Sequence, residues 1–503
     1  MTDTLTEKRL AELDALAARA AAAAEPFAAT SPNDRAAALV AVADALAAHA
    51  PELVELGITE TGLTTARLNG ELNRTAVQLR LFADVVRAGE YLDARIDAAD
   101  PDFVLGARPD LRRLLVPVGP VVNFAASNFP FAFSVAGGDT AAALAAGCPV
   151  ILKGHSGHPM LGARTAEVVA TALAGAGMSD GVFQFFTGQQ EGVAMLKDPR
   201  VRAGSFTGSI YAGRMLADIA AARPAPIPFF GELGSLNPVF VTAVAIAERG
   251  ESIATSYVAS VAGSAGQLCT KPGFVFVPQG HNLESVIHSA AESVPAHRML
   301  NPRIAEGFRT RRDEILATPG VSVVAEGELN FDENEQGWAT VTVVAASVAT
   351  LRLHRESLLA EAFGPLSILV EYEPDEDVAA LVTELFEGNL TATVHIGAGE
   401  ESPQLQELVR VLSEHAGRVL FDAWPTGVAV TPAMQHGGPW PATSSDSGTS
   451  VGTAAISRFL RGVAYQNTPQ ALLPLPLRDA NPWNVPQSLT ARGESGSWGS
   501  RGI

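Results

Sequence analysis

Three residues stand where their types could do chemistry. Cys269 lies in Gly263-Ser264-Ala265-Gly266-Gln267-Leu268-Cys269-Thr270-Lys271, among small and polar neighbours between a helical and a strand-like stretch. A thiol in such a loop is reachable and can serve as a nucleophile. Free cysteine is also a common small buried hydrophobe, so the thiol alone decides nothing. Glu232, in Phe229-Phe230-Gly231-Glu232-Leu233-Gly234, follows two phenylalanines, a setting predicted to raise its pKa toward that of a general base. The same glutamate turned outward at a strand end would be inert. Asn128, in Ala125-Ala126-Ser127-Asn128-Phe129-Pro130, could donate its amide to an oxyanion or simply form the turn before proline. Cys148, heading the apolar run Pro149-Val150-Ile151-Leu152, reads as structural.

A second group could hold a phosphorylated ligand. Lys153 closes that apolar run and is followed by Gly154-His155-Ser156-Gly157-His158, at the sheet edge where nucleotides bind. Phe206-Thr207-Gly208-Ser209 follows a strand and opens a helix, where free N–H groups can meet a pyrophosphate or where Ser209 can merely cap. No G-x-G-x-x-G run occurs, so a dinucleotide site here must be a variant. His155 and His158 have no third ligand at a metal spacing, and no metal site is assigned. Gly154-His155-Ser156-Gly157-His158 nearly spells the G-x-S-x-G elbow of an α/β-hydrolase with Ser156 as nucleophile, but histidine replaces the last glycine.

The elements that must position these groups are legible as patterns. Thr4 with Glu7 is expected to cap a first helix running to about Ala24, and Ser31-Pro32-Asn33-Asp34 opens a second. Pro51 starts a third. From Leu114 onward, short apolar runs alternate with helix-length stretches, the pattern of βαβ units around a buried parallel sheet. Strands are predicted over Val116 to Ala125, Pro149 to Lys153, Val182 to Phe186, Gly204 to Phe206 and Ile227 to Phe230. Helices are predicted over Pro159 to Ala176 and Tyr211 to Ala222. A second α/β region follows, with helices near Glu251 to Val261 and Glu306 to Leu316. Its strands fall at Phe274 to Val277, near Thr340 and at Leu366 to Val370. The acid-rich stretch Glu326 to Gly337 reads as a solvated loop.

Composition bounds the classes. With 503 residues, 47% apolar and 18% charged, the chain is a folded multi-domain protein. A formal net charge of -19 disfavours nucleic acid and anionic membranes as partners, though local N–H groups and lysines can still hold an anionic cofactor. Two cysteines fit a reducing compartment, and charges within the N-terminal helix argue against an export signal, so a cytoplasmic location is expected.

Taken together and in order, six motifs resemble the aldehyde dehydrogenase superfamily from about Asp34 to Asn484. They are Asn128-Phe129-Pro130, the strand lysine Lys153, Phe206 to Ser209, Glu232-Leu233-Gly234, Gly266-Gln267-Leu268-Cys269 and Glu361 to Pro365. The resemblance implies an α/β fold with a variant Rossmann NAD(P)-binding domain (1–98 and 118–235) and a second α/β catalytic domain (236–435). It further implies a small oligomerisation element (99–117 and 463–490), with 491–503 expected as a disordered tail and a homodimer or homotetramer as the assembly.

By the same resemblance Cys269 is the nucleophile, Glu232 the base that activates water, and Asn128 with the Cys269 N–H the oxyanion hole. Lys153, His155, Ser156, Gly188, Phe206, Gly208, Ser209, Leu233, Gly234, Glu361 and Phe363 are the cofactor contacts, with Lys153 at the adenosine ribose, Ser209 at the pyrophosphate and Glu361 at the nicotinamide ribose. NAD-selective members commonly carry a glutamate three residues after the strand lysine. Ser156 stands there instead, which favours NADP, while Gly188-Gln189-Gln190-Glu191 lacks an arginine for its extra phosphate and leaves NAD open. Lys153-Gly154-His155, His436-Gly437-Gly438-Pro439-Trp440-Pro441 and Arg458-Phe459-Leu460-Arg461 are most similar to the 2-oxoglutarate semialdehyde (2,5-dioxopentanoate) dehydrogenase branch, which includes fatty-aldehyde relatives. The implied reaction is aldehyde oxidation to an acid through a cysteine thioester. An inactive cofactor-binding scaffold is the remaining alternative.

Overall fold

The computed structural model describes residues 5–499. Four helices open the chain: Glu7–Ala28, Pro32–Ala48, Ala50–Thr61 and Thr65–Ala88. Thr4 lies outside the described residues; Thr6 caps the first helix, its hydroxyl accepting from Arg9 N. Ser31 caps the second in the same way, with Pro32 at the first helical position as predicted. The first helix runs on to Ala28, beyond Ala24.

β1 (Ala94–Asp97) and β2 (Leu111–Pro117) pair antiparallel. The single strand predicted from Val116 to Ala125 is in fact two, because Gly119, at φ +116°, and Pro120 break the chain between β2 and β3 (Val121–Phe124). β3, β4 (Val150–Lys153), β5 (Phe183–Phe186), β6 (Ala203–Thr207) and β7 (Phe229–Glu232) form a parallel sheet in the order β5-β4-β3-β6-β7. β7 sits two residues later than the Ile227 to Phe230 prediction. The strand order reverses between β3 and β6, so the carboxyl ends of β3, β4, β6 and β7 open on one crevice.

A second sheet takes β8 (Pro238–Val241), β9 (Phe274–Pro278), β11 (Ser322–Ala325), β14 (Thr342–Ser347), β15 (Leu366–Tyr372), β16 (Asn389–His395) and β17 (Ala416–Phe421). Its order is β11-β14-β15-β9-β8-β16-β17, parallel except at β11. β10 (His297–Arg298), β12 (Leu329–Phe331) and β13 (Gly337–Ala339) form a small sheet, so the acidic stretch expected as a loop contains a strand. Fully buried runs such as Val121–Phe124 and Asn389–His395 explain why these strands read as continuous rather than alternating apolar segments.

The chain returns through β18 (Leu460–Gln466) and β19 (Gln487–Thr490) to complete a four-stranded sheet in the order β18-β2-β1-β19. Its strands begin at Ala94 and Leu460, earlier than the expected element at 99–117 and 463–490. Residues 491–499, expected to be disordered, fold back on it: Asp100 accepts from Gly493 N at 2.8 Å, and Trp498 meets the Phe103 ring edge-on at 5.7 Å. Among the described residues no single helix is long and apolar enough to cross a membrane.

Candidate active site

Glu232 ends β7. The strand stops because Leu233 N turns to Ala442 O at 2.8 Å, while Glu232 O accepts from Gly208 N at 3.0 Å. That bond ties the Phe206 to Ser209 turn to the carboxylate's own backbone. Gly234 has no room for a side chain, since a Cβ there would lie 2.6 Å from a Glu361 carboxylate oxygen.

Cys269 follows a tight turn, Gly263–Gly266, in which Ser264 and Ala265 hold positive φ values of 52° and 53°. Such backbone costs about 1 kcal/mol or more per residue and persists only when packing enforces it. Packing does so here: at Gly266, φ +65°, a Cβ would lie 2.3 Å from the Gly364 carbonyl, so the turn is pressed onto Gly364-Pro365. Gln267 pins it from inside, accepting from Leu300 N and donating to Ser264 O, each at 2.9 Å. Asn237 donates to the carbonyls of Cys269 and Lys271 at 2.8 and 3.0 Å. Asn128, on the loop after β3, donates to Gln267 O at 3.1 Å. Its loop is held by buried Glu71, one oxygen of which accepts from Phe131 N and Ala132 N, both at 2.8 Å.

The residue that joins these pieces was quoted in the sequence only for its resemblance and given no role. His436 Nε2 lies 2.9 Å from Glu232 Oε1 and 3.7 Å from Cys269 Sγ. Ser450 donates to the other oxygen of Glu232. The loop carrying both, in the 436–462 stretch outside the expected regions, closes on itself through His436 N to Thr449 Oγ1 and Ser450 N to His436 O, each at 2.8 Å. A histidine followed by two glycines was the available signal. Candidate ligand atoms of Glu232, Cys269 and His436 lie within 4.8 Å of one another, a set that could also grip a soft divalent cation.

The electrostatics correct one prediction. Burial alone would raise the Glu232 pKa, but the charge and hydrogen bond of His436, the Ser450 hydroxyl and Arg458 outweigh it and hold the carboxyl below its ordinary range. Glu232 is therefore a carboxylate in place, not a raised acid. Burial pushes the Cys269 thiol well up, and the Glu232 and Glu361 carboxylates add to that.

The expected cofactor contacts divide. Lys153 closes β4 with its ammonium pKa lowered by burial, and Ser156 is exposed beside it. His155 accepts from Gly157 N at 2.9 Å and stacks on His158; burial drives its pKa down to about 3, so it is neutral and offers a phosphate no charge. Ser209 caps the Ile210–Ala221 helix, accepting from Ala212 N, with Gly208 exposed and Phe206 half-buried before it. At Gly188, φ +111°, the Glu191 carboxylate folds back so closely that a Cβ would lie 1.9 Å from its oxygen. An arginine does reach this stretch, from the first helix: Arg9 bonds Glu191 at 3.1 Å and Thr187 O at 2.6 Å. Leu233 and Gly234 are buried and Phe363 packs against the first core. Burial raises the Glu361 pKa to about 7 against the attraction of Lys271. This crevice, open at the strand ends with Lys153, a helix N-terminus and glycines at the close approaches, suits a dinucleotide.

The aldehyde dehydrogenase family model matches residues 2–459. The chain belongs to the aldehyde dehydrogenase family. The enzyme is 44% identical over 476 residues to alpha-ketoglutaric semialdehyde dehydrogenase 2 of Azospirillum brasilense, covering 94% of this chain and 89% of that one. It is 42% identical over 438 residues to the alpha-ketoglutaric semialdehyde dehydrogenase of Acinetobacter baylyi, covering 86% and 82%. The fold is that of an NAD-dependent aldehyde dehydrogenase from Sinorhizobium meliloti, at TM-score 0.74 and 23% identity over 91% of this chain and 88% of that chain. An aldehyde dehydrogenase C mutant from Pseudomonas syringae, solved with NAD+ and octanal, superposes at TM-score 0.76 and 22% identity over 91% and 89%.

Proposed function

We propose that this enzyme oxidises 2-oxoglutarate semialdehyde to 2-oxoglutarate with NAD(P), through a thioester on Cys269 that water then hydrolyses. The observation that carries the chemistry is the meeting of sulfur, carboxylate and imidazole from three distant stretches around one point. The names of the two relatives above 40% identity support the substrate.

The roles follow from the contacts. Cys269 Sγ, 3.7 Å from His436 Nε2, releases its proton to solvent and attacks the aldehyde carbon as the thiolate. Asn128 Nδ2, anchored two residues from the sulfur, and the Cys269 N–H stabilise the oxyanion. Lys153 at the end of β4, Ser209 after β6 and Glu361 would hold NAD(P), which when bound would supply the hydride acceptor. Glu232, kept ionised and aimed by His436 and Ser450, then takes a proton from the water that releases the acid. Lys153, Ser156 and Arg9 favour NADP, whereas Glu191 over Gly188 works against the extra phosphate, so both cofactors are used in the test. β18 and β19 are the edges of the four-stranded sheet, and this sheet is the surface proposed to join two copies in a dimer or a dimer of dimers.

An aldehyde panel tests the reading, with reduced cofactor recorded for NAD and NADP in parallel. The expected result is a kcat/KM for 2-oxoglutarate semialdehyde at least about tenfold above that for hexanal or octanal. Faster turnover of the alkanals would move the enzyme to the fatty-aldehyde branch. Ester hydrolysis without cofactor that survives Cys269→Ala and dies with Ser156→Ala would replace the oxidation altogether.

A further inference from the structure

Arg67, Glu71 and Arg74 occupy one face of the Thr65–Ala88 helix at i, i+4 and i+7. The first two neutralise each other, Arg67 donating to Glu71 Oε2 at 2.6 Å, and the remaining Glu71 oxygen is committed to Phe131 N and Ala132 N. Nothing on this face is left for Arg74. Its two terminal guanidinium nitrogens are buried and have no hydrogen-bond partner among the described residues. One turn further on, both side-chain amide atoms of Gln78 are buried and unpartnered as well. A guanidinium withdrawn from water without an acceptor is costly, and nitrogens left open beside a catalytic centre mark a place for an anion.

The contacts place those unpartnered nitrogens near the chemistry. The Arg74 guanidinium lies over the Phe133 ring at 5.2 Å, the Phe133 ring lies 6.0 Å from the His436 imidazole, and His436 touches Cys269. The charges of Cys269 and Glu232 are felt at Arg74, against the burial that lowers its pKa. Arg418, another arginine coupled to the Cys269 charge, already donates to Gly427 O and Pro425 O, both at 2.8 Å. The Phe133 ring beneath Arg74 belongs to an apolar cluster with Phe129, Val430 and Met434. An aldehyde chain can lie along such a cluster, with a charged end only where a cation awaits it.

We propose that Arg74 is the specificity-determining residue of a carboxylate subsite, its guanidinium receiving the end of the substrate opposite the aldehyde in a bidentate pair, with Gln78 completing the polar end. The enzyme thereby selects aldehydes that carry a distal carboxylate. This rests on the proposed thioester chemistry at Cys269 and deepens it, because it assigns the residue that separates a semialdehyde acid from an alkanal.

The test compares the natural enzyme with Arg74→Gln and Arg74→Lys on 2-oxoglutarate semialdehyde and on hexanal. In Arg74→Gln the ratio of kcat/KM for the acid to that for hexanal is expected to fall about 100-fold, chiefly through KM, and Arg74→Lys restores part of it. A ratio unchanged in both variants overturns the subsite, whichever way the absolute rates move. Thermal shift with millimolar 2-oxoglutarate adds a readout free of chemistry: Tm rises for the natural enzyme and for Arg74→Lys, and stays flat for Arg74→Gln. Equal shifts in all three proteins also overturn the subsite. If the natural enzyme oxidises neither aldehyde while the Tm pattern holds, the catalytic reading fails and the subsite stands.

Discussion

The two cysteines were told apart in the sequence by their flanks, and the structure gives the reason in physical terms. Cys148 is fully buried in the first core, its thiol donating to Phe459 O at 3.4 Å, and burial pushes its pKa up to about 11. Cys269 is only partly enclosed, yet its pKa is also pushed up, by burial and then by neighbouring carboxylates. A raised thiol pKa is therefore no mark of function here. What differs is the company: packed core, backbone groups of Val118, Gly119 and Phe459 and the more distant Arg35 charge around Cys148, an imidazole, a carboxylate and an amide-bearing loop around Cys269. Reactivity belongs to the site that can move the proton once the substrate arrives.

The comparison can be broken in three ways. The largest effect is expected for Cys269→Ala, which should lose aldehyde oxidation by about 10^4-fold or more in a steady-state assay. The same change at Cys148 should leave kcat intact and lower stability only by the cost of a small core cavity, read by urea denaturation. A Cys148 variant as inactive as the Cys269 one, while still folded, would erase the distinction. Next, Glu232→Gln should slow turnover about 100-fold while a rapid burst of reduced cofactor survives, because deacylation alone loses its base. A lost burst would put Glu232 at the attack step instead.

The smallest effect concerns titration. Since the Glu232 charge helps raise the Cys269 pKa, alkylation of Cys269 by iodoacetamide should still be climbing at the alkaline end of the pH range in which the enzyme stays folded. Its midpoint should move to lower pH in Glu232→Gln. Cys148 should alkylate only on unfolding. A midpoint that stays put, or moves upward, would mean the carboxylate and the thiol do not sense each other.

Much of this was legible in one dimension. The βα alternation located β4, β5, β6, β7, β9 and β15 to within two residues, because doubly covered parallel strands leave near-continuous apolar runs, whereas β8, β16 and β17 were not foreseen. The ordered motifs named the groups that gather at the sheet edge. What failed did so for local or for long-range reasons. Val116 to Ala125 looked like one strand since β2 and β3 are both apolar, and only Gly119-Pro120 marks that they belong to different sheets. The state of Glu232 was misjudged because the flanking phenylalanines were visible, whereas His436 and Ser450 lie more than 200 residues away. Arg74 and Arg9 were missed for the same reason: each is an ordinary helix arginine until the fold brings another segment against it. The folded-back tail was unreadable because Asp100, its anchor, sits in an unremarkable turn.

The pressed turn before Cys269 has a practical corollary for anyone reshaping this catalyst. With left-handed backbone at three successive positions and no clearance against Gly364, residues 264–266 form a mount that tolerates little substitution. Diversity meant to widen the range of accepted aldehydes belongs instead on the apolar wall around Phe129, Val430 and Met434, where side chains can change size without shifting the sulfur.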